Sequence, residues 1–301
     1  MTPDVPARPL VRSDAGELHR LIAPEVPELR LDAHCVERNV FEDSDFAPEL
    51  ALGAFDGARL AGAAAGVLRH GTAYVKVLVV GPWARRRGLG TGLLRRLEAA
   101  LHARGAREIQ TDGAAPVYLL PGLSTRAESA RRLFERHGYR AVELRSSMTV
   151  DLEASPLGVE REEARLGTEG YELRRAGPAD GAFLLEEIAR SFSPDWALEA
   201  RFALRQAPSG LHLALRSGRL AAFAASRVWA RNAFGPMGTA PEHEGRGLGS
   251  ILLKRCLADL RASGEKQAVI SWIGPEDFYA RKVGAKRTLE YVVLRKPLYR
   301  E

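Results

Sequence analysis

Two stretches of apolar residues at helical spacing lie 159 residues apart in this chain. Leu89, Leu93, Leu94, Leu97 and Leu101 line one face of a predicted helix, and Leu248, Ile251, Leu252, Cys256 and Leu260 line another. The segments before each helix repeat as well. Residues 50–55, a turn at Asp56-Gly57 and residues 59–69 predict a β-hairpin, and residues 211–216, Ser217-Gly218 and 219–229 predict a second. A third strand follows in each half, near 72–80 and 233–240. Strands near 106–112 and 267–273, a further helix and a closing pair of strands complete each copy. Upstream, a short strand leads into a helix twice, with Asp14 and Asp180 as start signals. Gly57 and Gly218 lie 161 residues apart and Gly88 and Gly247 lie 159 apart, the near-constant offset of a tandem duplication. The fold class expected is α/β, with two mixed domains, each a partly antiparallel sheet flanked by helices. Boundaries are drawn at 1–152, a charged, Pro156-containing linker at 153–170, and 171–301.

The third strand of each half runs into a glycine-rich loop that opens the long helix. The first loop reads Val80-Gly81-Pro82-Trp83-Ala84-Arg85-Arg86-Arg87-Gly88-Leu89-Gly90, followed by Thr91. The second reads Thr239-Ala240-Pro241-Glu242-His243-Glu244-Gly245-Arg246-Gly247-Leu248-Gly249, followed by Ser250. Exposed amides at a helix start attract phosphate, and glycines let the main chain approach it closely. Each half is therefore expected to hold a phosphorylated ligand.

The spacing Arg85-x-x-Gly88-x-Gly90 resembles the pyrophosphate loop of the GNAT acetyltransferase superfamily. The second copy keeps Gly247 and Gly249 but carries Glu244 where the family has Arg or Gln. The resemblance implies two tandem GNAT-like acyl-CoA N-acyltransferase domains, with acetyl-CoA as acetyl donor and no metal. It implies a main-chain contact to the donor from Val80 or its neighbour Leu78 in the first half, and from Thr239, Gly238 or Met237 in the second. Gly238 would suit a bulge in that strand. The loops add Arg85, Arg86, Arg87, Gly88, Gly90 and Thr91, and Gly245, Arg246, Gly247, Gly249 and Ser250. In this family a tyrosine on the last helix often protonates the departing thiolate. Phe278-Tyr279-Ala280-Arg281-Lys282-Val283-Gly284 resembles that pattern with one extra residue, so Tyr279 is the expected catalytic acid. The first half has Phe134 at the matching place, which makes the second half the expected catalytic one; Tyr118 is an alternative donor in the first. Asp195 and Trp196, between the first helices of the second half, fall where the family lines its acceptor pocket, and Glu42, Asp43 and Asp45 match them in the first. Glu276 and Asp277 are candidate bases or simply charges that favour a helix start.

Composition narrows the class. The chain has 301 residues, 46% hydrophobic and 27% charged, with a net charge of +6. No apolar run reaches the roughly 18 residues of a membrane span, and the N-terminus lacks a signal-peptide pattern, so a cytoplasmic protein is expected. Cys35 and Cys256 are too few for a disulfide framework; Cys256 reads as packing. His34, His102, His137 and His212 form no visible constellation. The arginine runs lack a nucleic-acid recognition signature. The function expected is N-acetyl transfer to a primary amine of a small molecule by direct attack. Tyr118–Leu123 and Ser271–Pro275 look like bacterial tandem GNAT proteins, some of which acetylate glucosamine or glucosaminides, which suggests an amino sugar. The rival readings are a non-catalytic acyl-CoA-binding or regulatory protein and an acetyltransferase of protein amines.

Overall fold

The computed structural model describes residues 7–298. They form two compact units: one runs to Ser146 and resumes at Glu290, and the other spans Ser147–Leu289. In the first, β1 (Ala7–Pro9), α1 (Ala15–Ile22) and α2 (Ala33–Phe41) precede the hairpin β2 (Ala51–Asp56) and β3 (Arg59–Arg69). Then come β4 (Thr72–Val80), α3 (Leu89–Ala103), β5 (Glu108–Gln110), the short β6 (Leu123–Ser124), α4 (Glu128–Arg136) and β7 (Arg140–Asp151). The second unit repeats the plan with α5 (Glu160–Thr168) added in front. It continues with β8 (Tyr171–Arg175), α6 (Gly181–Ser191), α7 (Pro194–Leu204), β9 (Leu211–Arg216) and β10 (Arg219–Ser226). β11 (Ala233–Thr239), α8 (Leu248–Ala262), β12 (Gln267–Ile270) and α9 (Glu276–Val283) follow, and β13 (Lys286–Pro297) starts in this unit and ends in the first.

Within each unit the strands pair antiparallel except at one place. β1–β2–β3–β4 pair antiparallel and β4–β5 parallel; β8–β9–β10–β11 pair antiparallel and β11–β12 parallel. The leucine stripe of α3 packs with Ala64, Val75, Ile109 and Phe134, and that of α8 with Ala222, Phe234, Ile270 and Tyr279. Cys256 is fully buried there, and both cysteines are free. The two start signals act alike. Asp14 accepts from the Val11 amide at 2.8 Å and pairs with Arg8, while Asp180 accepts from the Gly177 amide at 2.7 Å and pairs with Arg174.

The division into units differs from boundaries at 152 and 171, and strand pairing is the reason. Met148–Asp151 of β7 pair with Ile270–Gln267 in the second unit, whereas Arg295–Pro297 of β13 pair with Gln110–Glu108 in the first. A closing strand can satisfy its backbone in either sheet, and chain order does not decide which. Each half thus closes with one long strand rather than a pair, and β6 adds only a two-residue bridge to β13. The stretch expected as a linker holds α5, with Leu157 and Leu166 buried in the second core.

Candidate active site

The ladder slips at the same place in both units. Between β3 and β4 the register shifts at Lys76, and between β10 and β11 it shifts at Gly235-Pro236. The bulge is not at Gly238, which pairs regularly with Phe223. Beyond these slips the parallel partners are lost: β5 meets β4 only at Thr72–Tyr74, and β12 meets β11 only at Ala233–Phe234. Gly81 and Ala240 send their amides back to β3 and β10, each at 2.9 Å. Backbone groups alternate sides along an antiparallel strand, so the amides of Leu78, Val80, Met237 and Thr239 face the opened gap. Gly238, also offered by the family resemblance, has its amide on the β10 side.

Each opened strand leads to a loop of matching backbone. Arg86 and Gly88 have φ of 64° and 81°, and Gly245 and Gly247 have φ of 74° and 93°. Alternating left-handed residues turn successive amides to one side and form an anion-binding nest. The first intrahelical bonds are Gly92 to Gly88 at 2.9 Å and Ile251 to Gly247 at 3.2 Å. The amides of residues 89–91 and 248–250, Thr91 and Ser250 among them, are the orphan donors at these helix starts. A Cβ on Gly245 would meet nothing within 4 Å. Both loops thus gather backbone N–H donors on one side, an arrangement suited to an anion.

The surroundings of the two loops differ. In the first unit Arg85 turns back, its Nε donating to the Val80 carbonyl at 2.9 Å and its guanidinium pairing with Glu25. In the second unit Glu244 is exposed. Nearby, His243 Nδ1 lies 2.9 Å from the Tyr171 hydroxyl, and Arg165 Nη2 donates to the Arg246 carbonyl at 2.8 Å.

The acidic stretches differ more. In the first unit Lys76 pairs with Asp43, and Arg69 bonds Asp43 and Asp45, each at 2.6 Å. Burial works against the Asp43 charge, but these two cations hold it below the ordinary carboxylate range. Lys76 also donates to Val117 O at 3.0 Å and Arg69 to Ala114 O at 2.9 Å, which pins residues 114–117 over the opened strand. Tyr118, the alternative proton donor, is buried in the same loop. Chain atoms thus fill the acidic place that the sequence gave to an acceptor. In the second unit, Gly235-Pro236 stands at the Lys76 position and offers no charge. Asp195 is exposed at the start of α7, where Ser193 accepts from its amide at 3.1 Å. Trp196 stacks on Phe192 with centroids 6.2 Å apart, and Phe192 packs edge-on to Phe223 at 5.1 Å.

The extra residue in the Tyr279 pattern has a local explanation. In α4 the Phe134 carbonyl accepts from Tyr139, five residues on; in α9 the Tyr279 carbonyl accepts from Ala285, six residues on. Leu133 lies over Gly90, and Phe278 lies over Gly249. Tyr279 therefore takes the place of Phe134, and the surplus residue sits in the last turn. Its ring packs edge-on to Phe234 and Phe278 at 6.3 and 5.2 Å. Burial pushes its phenol up to about 12, so it stays protonated at neutral pH. Glu276 is bound to Arg287, with Nε donating at 3.2 Å, and Asp277 lies 3.7 Å from Arg281 on the exposed face. The sequence missed Lys76, Arg69 and Arg165. A lone lysine in the apolar run 72–80 was the legible sign of the first, and the charged run at 160–165 hid the last.

The acetyltransferase (GNAT) family model matches residues 17–139 and 181–286, one segment in each half. The mycothiol acetyltransferase of Geodermatophilus obscurus is 32% identical over 213 residues, which cover 64% of this chain and 63% of that protein. The chain thus spans less than two thirds of that relative. Among solved structures, the glucosamine N-acetyltransferase region of a fungal multi-domain β-N-acetylglucosaminidase superposes with a TM-score of 0.71 at 18% identity, over 97% of this chain and 38% of that one. A tandem GNAT protein from the clavulanic acid biosynthesis pathway gives 0.67 at 17%, over 98% and 99%. A GCN5-related N-acetyltransferase from Sphaerobacter thermophilus gives 0.65 at 24%, over 99% and 97%. At these identities the likeness is one of fold. No helix among the described residues is long and apolar enough to cross a membrane.

Proposed function

We propose, from the premise that this chain belongs to the acetyltransferase (GNAT) family, that it moves the acetyl group of acetyl-CoA to a primary amine of a small molecule, and that its second unit carries the reaction. The observation that carries this reading is the asymmetry of the two clefts. Lys76, Arg69 and residues 114–117 fill the first beside Asp43, whereas the second has Gly235-Pro236 at the Lys76 position and Tyr279 at the Phe134 position.

The thioester supplies an activated acetyl group, so the chain needs to orient it rather than form a covalent link. The loop amides of residues 248–250 would hold the pyrophosphate, and the amides of Met237 and Thr239 would polarise the carbonyl oxygen. Tyr279 is a neutral phenol suited to hand its proton to the departing thiolate. Trp196 and Phe192 would border the acceptor, with Asp195 as a candidate anion for its ammonium group. The similarity to a mycothiol acetyltransferase and to a glucosamine N-acetyltransferase region supports a small amine, with amino sugars first to be tried. The first unit we read as binding acetyl-CoA without turnover, in keeping with its intact nest and filled acidic place.

The test is an amine panel, led by amino sugars and including peptides with free amino groups, assayed with acetyl-CoA by release of free thiol. Turnover on a small amine supports the proposal. Turnover confined to peptides would move the acceptor to protein amines, and thiol release by a Gly247→Asp variant at the parent rate would move the reaction to the first unit.

A further inference from the structure

The second loop poses an electrostatic problem that its own residues do not solve. Glu244 stands where the first loop has Arg85, so a carboxylate borders a site built for phosphate. A cation reaches this loop from α5, outside both segments matched by the family model. Arg165 Nη2 donates to the Arg246 carbonyl at 2.8 Å, and a Cβ added to Gly247 would lie 3.9 Å from the same nitrogen. The guanidinium thus flanks the residue whose left-handed backbone turns the chain into α8. Glu169 pairs with Arg165 and lies 4.0 Å from Arg246, so the two arginines only balance Glu169 and Glu244, and without Arg165 these groups would be net negative. A guanidinium has five N–H donors, and the loop carbonyl and Glu169 leave some of them for a further acceptor.

The placement of Arg165 is firm. Leu166, its neighbour, is fully buried in the second core. Glu163 accepts from Arg255 of α8 at 2.5 Å, and Lys254 donates to the Gly158 carbonyl at 3.2 Å, so α5 is tied alongside α8. In the first unit the corresponding cation is in the loop itself but is drawn off by Glu25 and the Val80 carbonyl.

We propose that Arg165 is a phosphate-binding residue of the second unit's donor site, replacing with a residue from α5 the charge that Glu244 removes. The inference rests on the reading that this loop holds CoA. Its ligand is a phosphate oxyanion of the cofactor, either the pyrophosphate or the 3′-phosphate.

Calorimetry with CoA and with dephospho-CoA tests it, on full-length protein carrying Gly88→Asp to silence the first loop. Arg165→Ala, which keeps a strong helix former in α5, should bind CoA about tenfold more weakly, the scale of one charge-assisted hydrogen bond. The salt dependence of binding should flatten as well. Arg165→Lys should recover part of the loss, and adding Glu244→Gln to Arg165→Ala should recover part by removing the opposing charge. A penalty equal for both ligands assigns the contact to the pyrophosphate, and one confined to CoA assigns it to the 3′-phosphate. Unchanged affinity for both ligands, in a variant that melts like its parent, would overturn the role of Arg165 while leaving the loop as a CoA site. Absence of CoA binding before Arg165 is altered would overturn the donor-site reading and this inference with it.

Discussion

Tyr279 and Phe134 differ by one hydroxyl at equivalent places, and that atom is the sharpest chemical difference between the two last helices. Tyr279→Phe removes it and keeps the ring between Phe234 and Phe278. Loss of a positioned general acid costs about 10²–10⁴-fold in rate, so kcat should fall by that order while calorimetric affinity for acetyl-CoA stays put. A phenol pushed up to about 12 remains an acid through the working range. An alkaline fall in kcat below pH 10 would therefore belong to another group and should persist in the variant. Asp259 offers a stability test of the same kind. His212 Nε2 lies 2.7 Å from it and Arg175 pairs with it at 2.6 Å, a cluster that the sequence did not reveal. Burial disfavours its charge, yet the bonds from His212 and Arg175 bring it down to about 2. A lowered carboxylate contributes stability above its unfolded value, about 4, and loses that contribution as pH falls through about 2. Asp259→Asn should destabilise the protein by about 1–3 kcal/mol at pH 7. The gap from the parent in denaturant melts should narrow between pH 4 and 2; a constant gap would show that the carboxylate's charge is not what stabilises.

The opened strands β4 and β11 show how a side chain's absence shapes an element. A Cβ on Gly238 would come within 2.6 Å of the Phe192 ring and 3.1 Å of Phe223. Gly238→Ala must displace that aromatic group, and overpacking of this kind costs about 1–3 kcal/mol. The melting temperature should drop, and Phe192→Leu added to Gly238→Ala should restore part of it; a neutral Gly238→Ala would mean that the Phe192 ring moves freely. Elements of this sort were legible to different degrees. Hairpins, long helices and glycine loops follow local rules of period and turn chemistry, so their residues predicted them closely. The bulge at Gly235-Pro236 was not legible, because a slip in register depends on what the neighbouring strand does. Lys76 was visible as an odd charge in an apolar run, but its partner Asp43 lies 33 residues away and only folding joins them. α5 read as a linker because its polar positions outnumber the two residues, Leu157 and Leu166, that anchor this segment.

At the scale of the whole chain, the closing strands decide what can fold alone. A fragment of residues 1–152 would lack Arg295–Pro297, which pair with β5, and Val292 and Leu294, which are buried beside Phe134 and Tyr139. A fragment of residues 171–301 would lack Met148, Val150 and Leu152 from β12's side, and Leu157 and α5's Leu166. Burying a leucine or valine side chain is worth about 1.5–3 kcal/mol, and a domain's whole stability is about 5–15 kcal/mol. Five such side chains missing from the second core amount to about 8–15 kcal/mol, comparable with that whole margin before the unpaired strand edge is added. Both fragments are therefore expected to be unstable or aggregated when expressed alone, by circular dichroism and hydrogen exchange. The second fragment should recover a cooperative melt when extended back to Ser147. The first should recover one when residues 290–298 are attached through a flexible linker, because the edge of β5 and the apolar surface near Phe134 are then covered. If residues 1–152 and 171–301 each melt cooperatively at the temperature of the intact chain, the exchanged strands add little, and the duplicated halves are self-sufficient in chain order.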